Sequence, residues 1–234
     1  MLIKKPYMFD LLDINIVIIS LKRRKNRLLS LTNQLDELGL TYHIYDAWDA
    51  RSHGYEETLK KLKTLHPHFN KFYQLSKDED LRLGRMGCYI SHYSVIKEAI
   101  ANQYNNLLVL EDDMMISDKF IEKPIENKLF YYLGFTIEKK VDINLKDGWN
   151  EIGNYKVWGA GGYLVTSLSN LKELKKKINH YTPRAIDAIF TRFQKEDSLL
   201  LYPPLVIHNN NFDSDVSSIG INQVAKFYKS FKTS

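Results

Sequence analysis

One cysteine, Cys88, stands in the 234 residues. A lone cysteine excludes an internal disulfide and a cysteine-built zinc site, and a reducing, cytoplasmic setting is the simplest expectation. Long apolar runs are missing too. The strongest, Ile16-Val17-Ile18-Ile19, falls far short of the ~20 residues that span a bilayer. Asp10 and Asp13 interrupt the approach to it and no small-residue cleavage site follows. It reads as a buried strand rather than a signal peptide. No glycine-rich phosphate loop or dinucleotide fingerprint occurs, so neither Walker-type nor standard dinucleotide chemistry is supported. The seven histidines show no zinc-ligand spacing. Repeats, low-complexity tracts and a linker are also lacking. One domain over 1–234 is expected, with a core over about 14–218 and a basic tail over about 219–234.

What is present is ordinary globular composition, 44% hydrophobic and 26% charged, with enough apolar side chain for a sizeable core. The net charge of +5 favours phosphate-bearing partners: nucleotides, nucleic acid or an anionic membrane surface. Residues 16–20 read as a buried strand. The spacing of Leu28, Leu31, Leu35 and Leu38 predicts a helix over about 24–38, closed by Gly39. Residues 41–47 read as a second strand, giving a βαβ unit with a parallel pair. Residues 50–80 are polar and patternless, an irregular insertion with one or two short helices. Helix is expected again from Gly87 to about Gln103, then a buried strand at 107–110. A strand at 129–133 should end at Gly134, and Trp158 to Tyr163 reads as a glycine-rich turn. Helices over 169–179 and 184–194 and strands near 199–202 and 205–207 complete the reading. The fold class is α/β, a central mixed, mostly parallel sheet flanked by helices.

The strongest chemical signal is Glu111-Asp112-Asp113 at the end of the strand 107–110. In open α/β sheets ligands collect at the carboxyl ends of parallel strands. Three adjacent acids repel one another, and a hard divalent cation bridging carboxylates to substrate phosphates would offset them. A helix N-cap and first turn would account for the same cluster. The second signal is the basic run Lys22 to Arg27 after the first strand, where arginine and a helix N-terminus suit phosphate; a solvated basic face is its plainer meaning. His208, after a strand near the other end of the chain, is a candidate further metal ligand or else a loop histidine. His92 beside Ser91 reads equally as a hydrogen-bonded core residue. Cys88 reads as a small buried apolar residue rather than a nucleophile.

Together these pieces resemble glycosyltransferase family 25, which includes lipooligosaccharide galactosyltransferases and collagen hydroxylysine glycosyltransferases. The resemblance runs through the strand and basic segment from Ile16 to Arg27, then Ala47-Trp48-Asp49-Ala50. Its most specific element is Gly87-Cys88-Tyr89-Ile90-Ser91-His92, shortly before the strand that ends in the three acids. Tyr132-Leu133-Gly134, Gly162-Tyr163-Leu164-Val165, a helix bearing Asp187, and Ser214-Asp215 follow in order. Gly84-Arg85-Met86 stands where the family pattern has Gly-Glu-Ile, and Ala50 where it commonly has glycine.

The resemblance implies a GT-A-type fold and a UDP-sugar donor, with transfer that inverts the anomeric carbon. It implies Mn²⁺ or Mg²⁺ held by Glu111, Asp113 and His208. The nucleotide would be held by Ser20, Leu21, Arg24, Arg27, Asp49, Ser91, His92 and Asp112. Asp187 is the expected base for the acceptor hydroxyl. The expected acceptor is a lipooligosaccharide-type glycan or a collagen-like hydroxylysine, and nucleic acid is not an expected partner. Basic and aromatic residues interleave from Lys226 to Lys232, as in a contact with an anionic membrane. Two rival classes fit the same charges: a metal-dependent nuclease or nucleotidyltransferase, and a non-catalytic nucleic-acid or saccharide-binding module.

Overall fold

The computed structural model describes residues 13–69, 78–117, 127–138 and 145–209. The β-branched run Ile16–Ser20 forms strand β1, buried at every position, as a run without polar alternation requires. Helix α1 (Lys25–Glu37) follows, with Leu31 and Leu35 fully buried; each contributes about 1.5–3 kcal/mol. Leu38, expected on the same face, is 54% exposed because the helix has already ended. The chain leaves it through Gly39 at φ +68°, a left-handed value that only glycine takes freely. Strand β2 (Tyr42–Asp46) then pairs parallel to β1.

The polar stretch after residue 50 is more regular than its composition predicts. Ala50–Leu65 forms α2, bent at Gly54, and buries Ala50, Thr58 and Leu62. That stripe is too narrow to show as periodicity. Helix α3 (Glu79–Ala101) begins eight residues before the expected Gly87. Asp78 caps it, accepting from the N–H groups of Asp80 at 2.9 Å and Leu81 at 3.2 Å. The acids in the first turn suit the helix dipole. Strand β3 (Leu107–Glu111) lies parallel to β1 on the side away from β2.

The remaining elements are β4 (Met114–Ile116), β5 (Phe130–Ile137), β6 (Gly148–Glu151), β7 (Val157–Val165), α4 (Leu168–Asn179), α5 (Ile186–Phe190), α6 (Gln194–Asp197), β8 (Ser198–Tyr202) and β9 (Val206–His208). Among the described residues the main sheet runs β2-β1-β3-β7-β5-β8-β6, and β4 and β9 form a separate antiparallel ribbon. Strands β2, β1, β3, β5 and β8 point one way, β7 and β6 the other. This is the mixed, mostly parallel sheet expected.

Alternate residues of each strand feed opposite faces. Val17, Ile19, Leu107 and Val109 join a core with α3, α4 and α5, whereas Ile16, Ile18, Leu108 and Leu110 join one with α1. The helix expected over 184–194 is reduced to α5, followed by a turn, and α6 begins only at Gln194.

At Gly134 and from Trp158 to Tyr163 the glycines lie within strands rather than at turns, and strand β5 continues to Ile137. Their small size serves a contact across the fold. A Cβ at Gly162 would lie 2.7 Å from that of Val206, at Gly161 2.7 Å from the Met114 sulfur, and at Gly134 2.8 Å from the Val206 carbonyl oxygen. The β4–β9 ribbon therefore rests on a glycine floor in β5 and β7. Among the described residues no helix is long and apolar enough to cross a membrane.

Candidate active site

Strand parity sets the direction of the three acids. Glu111 continues the series 107, 109 onto the α3 face. There Oε1 meets His92 Nε2 at 3.0 Å, and the Cys88 thiol donates to the same oxygen at 3.7 Å. Asp112 continues 108, 110 onto the α1 face, as Ser20 continues 16, 18. The Ser20 hydroxyl donates to Asp112 Oδ2 at 2.7 Å. Asp113 lies in the turn between β3 and β4, where Arg27 Nη1 donates to its Oδ2 at 3.1 Å; the same nitrogen is 3.8 Å from Asp112 Oδ1. A strand, not a helix, follows the acids, so helix capping does not account for them.

His208 reaches this point from the far end of the described chain. It pairs with Met114 across the ribbon, which brings its Nε2 within 3.4 Å of Asp113 Oδ2. The backbone N–H of Asn209 donates to the Asp113 carbonyl at 2.7 Å. The glycine floor is thus what seats His208 beside Asp113.

The opposite wall is the turn after β2. Ser91 accepts from the Trp48 N–H at 2.9 Å and donates to the Gly87 carbonyl at 2.7 Å. A Cβ on Gly87 would stand 2.6 Å from the Trp48 carbonyl oxygen, so helix and turn touch only because that residue is glycine. Ser91 therefore fixes the wall. Asp49 accepts from Arg23 Nε at 2.7 Å, and the Leu21 carbonyl accepts from the Arg24 N–H at 2.8 Å in the turn that opens α1.

Leu21, Arg24, Arg27, Asp49, Ser91 and His92 line one cleft with the three acids; it encloses about 620 Å³, its open mouth included. Ser20 lies beneath, bonded to Asp112. Arg23 of the basic run and Trp48 of the Ala47–Ala50 element line the cleft as well, and so does Arg51, which no sequence signal singles out. Trp48 stacks on His53 with ring centroids 4.1 Å apart. An aromatic next to Asp49 was the available signal.

Burial pushes the Asp112 carboxyl up to about 6; the charges of Asp113 and Glu111 add to this, and the Ser20 hydroxyl and Arg27 act against it. Burial alone would lower His208, but the carboxylate of Asp113 beside it and the charge of Glu111 outweigh that and raise it, with Arg27 acting against them. Burial would also raise Asp49, yet the bond and charge of Arg23 leave it below the usual carboxylate range. Asp187 sits in the first turn of α5, outside the cleft wall, where α5 packs on α3 and β7. Burial and the charge of Glu111 raise its carboxyl, opposed by the Ala188 N–H, Arg85 and His92. Asp213, Ser214, Asp215 and the segment 226–232 lie outside the described residues.

A divalent ion fits this strand end. Asp113 Oδ1 and both ring nitrogens of His208 are buried without a hydrogen-bond partner, a costly arrangement that a cation would relieve. A carboxylate with an imidazole suits a transition metal such as Mn²⁺ better than Mg²⁺. Glu111 is engaged by His92 in this arrangement, while Arg27 supplies positive charge to Asp113.

These features gather acids, arginines and an aromatic wall in one cleft at the carboxyl ends of parallel strands. Residues 13–190 match the model of glycosyltransferase family 25 (LPS biosynthesis protein), and the chain belongs to that family. It is 34% identical over 112 residues to human procollagen galactosyltransferase 2, covering 46% of this chain and 17% of that protein. It is 30% identical over 126 residues to the inactive glycosyltransferase 25 family member 3 of Mus musculus, covering 52% and 21%. The matches thus span less than a third of these relatives' length. A solved galactosyltransferase in complex with donor and acceptor sugar analogs has a TM-score of 0.42 at 13% identity, covering 93% of this chain and 96% of that one. Family and sheet together give the GT-A-like α/β class that the motifs implied.

Proposed function

We propose that this chain transfers a hexose, galactose or glucose, from a UDP-sugar to a saccharide or hydroxylated acceptor, with inversion and with the help of Mn²⁺ or Mg²⁺. The observation that carries the reading is the meeting of Asp113, His208 and Arg27 at the end of β3, inside the cleft. The departing nucleoside diphosphate accumulates negative charge, and preorganised positive groups at that point lower the barrier. Arg27 and Arg24 would hold the diphosphate, and Asp49 with Trp48 would wall the nucleoside. Asp113 and His208, joined by Glu111, would hold the cation, which supplies Lewis-acid stabilisation of the leaving group. Ser20 and Arg27 hold Asp112 in place below it.

Asp187 is the proposed base. Its raised carboxyl is better matched to taking a proton from a hydroxyl than an ordinary aspartate would be. The proposed acceptor is a lipooligosaccharide-type glycan, in line with the family description. The likeness to a procollagen galactosyltransferase favours a second reading, a collagen-like hydroxylysine. We place the enzyme in the cytoplasm, with the segment 226–232 touching an anionic membrane.

The test is release of UDP from UDP-galactose and UDP-glucose with a lipooligosaccharide core or a hydroxylysine peptide, with Mn²⁺ and with chelator. Acceptor-stimulated release that chelator abolishes is the expected result. Release of no UDP from either donor, with either acceptor, would contradict the proposal.

A further inference from the structure

Glu111 has a second set of neighbours that donor chemistry does not require. Cys88 and His92 stand four residues apart on α3 and so share one face of the helix. Both turn toward the Glu111 carboxylate: His92 Nε2 at 3.0 Å and Cys88 Sγ at 3.7 Å from Oε1. One ligand atom from each of the three lies within 4.8 Å of the other two.

We propose that Cys88, His92 and Glu111 bind a thiophilic divalent cation, Zn²⁺ foremost, at a site distinct from the Asp113–His208 pair. Zinc bonds of about 2.3 Å to sulfur and about 2.1 Å to nitrogen and oxygen put tetrahedral ligand atoms about 3.4–3.6 Å apart. The two measured contacts differ from that by a few tenths of an ångström. Sulfur, nitrogen and carboxylate oxygen together are a zinc-type donor set, unlike the oxygen-rich sets of Mg²⁺.

The outer shell points the same way. His92 is fully buried, and its other ring nitrogen, Nδ1, is 3.2 Å from the Tyr163 hydroxyl. A partner on the second nitrogen is what fixes the ring of a metal-bound histidine. The three residues also line the cleft, so a cation has a path in and an open fourth position. On binding, the Cys88 S–H bond is exchanged for a sulfur–metal bond and the proton passes to solvent.

Glu111 would then be withdrawn from the neighbouring site, and zinc would inhibit a transfer that uses it. That consequence rests on the transferase reading; the site itself does not. Cys88 is the only cysteine of the chain, so any thiolate–metal absorption belongs to it.

The test is titration of the reduced protein, kept reduced by a phosphine rather than a thiol, with Co²⁺ alone. The expected result is near-ultraviolet thiolate-to-cobalt absorption saturating at one ion per chain and bleached by one equivalent of Zn²⁺. Cys88→Ser abolishes it, Glu111→Gln weakens binding, and Asp113→Asn leaves it. No such absorption in folded wild-type protein at saturating Co²⁺ would overturn the proposal. Saturation at one ion per two chains would also overturn it, since Cys88 of two copies would then be the ligands. Neither reading of the wild type depends on a variant folding or on any sugar-transfer activity.

Discussion

Glu111 and Asp113 leave the same strand end two residues apart, and their surroundings differ in kind. Glu111 stays on the sheet's α3 face, against a buried imidazole and a thiol. Asp113 lies in the turn after β3, between Arg27 of α1 and His208 of β9. The first set is built from one helix and the strand packed on it, without a residue of the ribbon. The second exists only while β9 lies on the glycines of β5 and β7. On the two proposals, one cluster of acids would serve two coordination chemistries: a soft, locally built one and a harder one assembled from both ends of the described chain.

The largest expected effect lies on the Glu111 side. If Asp187, whose carboxyl feels Glu111, is the base, Asp187→Asn should lower turnover by about 10²- to 10⁴-fold with little change in UDP affinity. Equal losses in both would remove it from that role. Next comes Tyr163→Phe, which takes the partner from His92 Nδ1. Zinc affinity should fall about 10- to 100-fold while the Mn²⁺ response at Asp113 is unchanged. A matching loss of Mn²⁺ response would mean that the two sets are not separate.

Gly162→Ala attacks the other side, because its Cβ must displace Val206. Overpacking of this kind costs about 1–3 kcal/mol. It should be read as a lower melting temperature together with weaker Mn²⁺ binding, with cobalt binding at Cys88 retained. Unchanged Mn²⁺ binding would separate the ribbon's seat from the position of His208.

The smallest effect serves as a control outside both sets. His66 is buried against Tyr89 and Tyr93, its Nε2 2.7 Å from the Tyr89 hydroxyl. Burial, with the charges of Lys97 and Lys175, pulls it down to about 4 from its usual 6.5. The unfolded chain therefore binds the proton more readily. Stability is fully present above pH ~6.5 and declines as the pH falls toward ~4. Thermal melts of His66→Phe should show a flatter decline over that window. An unaltered slope in His66→Phe would assign the decline to other groups.

The half of the sheet nearest the amino terminus was readable because its signals are local. An unbroken apolar run gave β1, a leucine period with a closing glycine gave α1, and an apolar run ending in acids gave β3. Parity alone could also have placed Glu111 on the α3 face and Asp112 on the other. The start of α3 had its own local mark in Asp78-Glu79-Asp80. What could not be read was decided by distant partners. Gly134, Gly161 and Gly162 look like turn residues until Met114 and Val206 are seen to need the space. His208 was a candidate ligand on its position after a strand, but only the register with Met114 brings it to Asp113. Ser91 and His92 came from the motif. Their tasks, pinning the Trp48 turn and orienting Glu111, depend on packing that no motif states.

The central claim is that the cleft holds a nucleoside diphosphate through a cation at Asp113. Thermal unfolding with UDP, GDP, CMP or ADP, each with and without Mn²⁺, tests it most directly. A ligand at 100 times its dissociation constant adds about 2.7 kcal/mol, or about 5–10 °C for a chain of this size. The account predicts that shift for UDP only with Mn²⁺, and its loss in Asp113→Ala. No shift with any nucleotide under either condition, or a UDP shift that Asp113→Ala leaves intact, would contradict it.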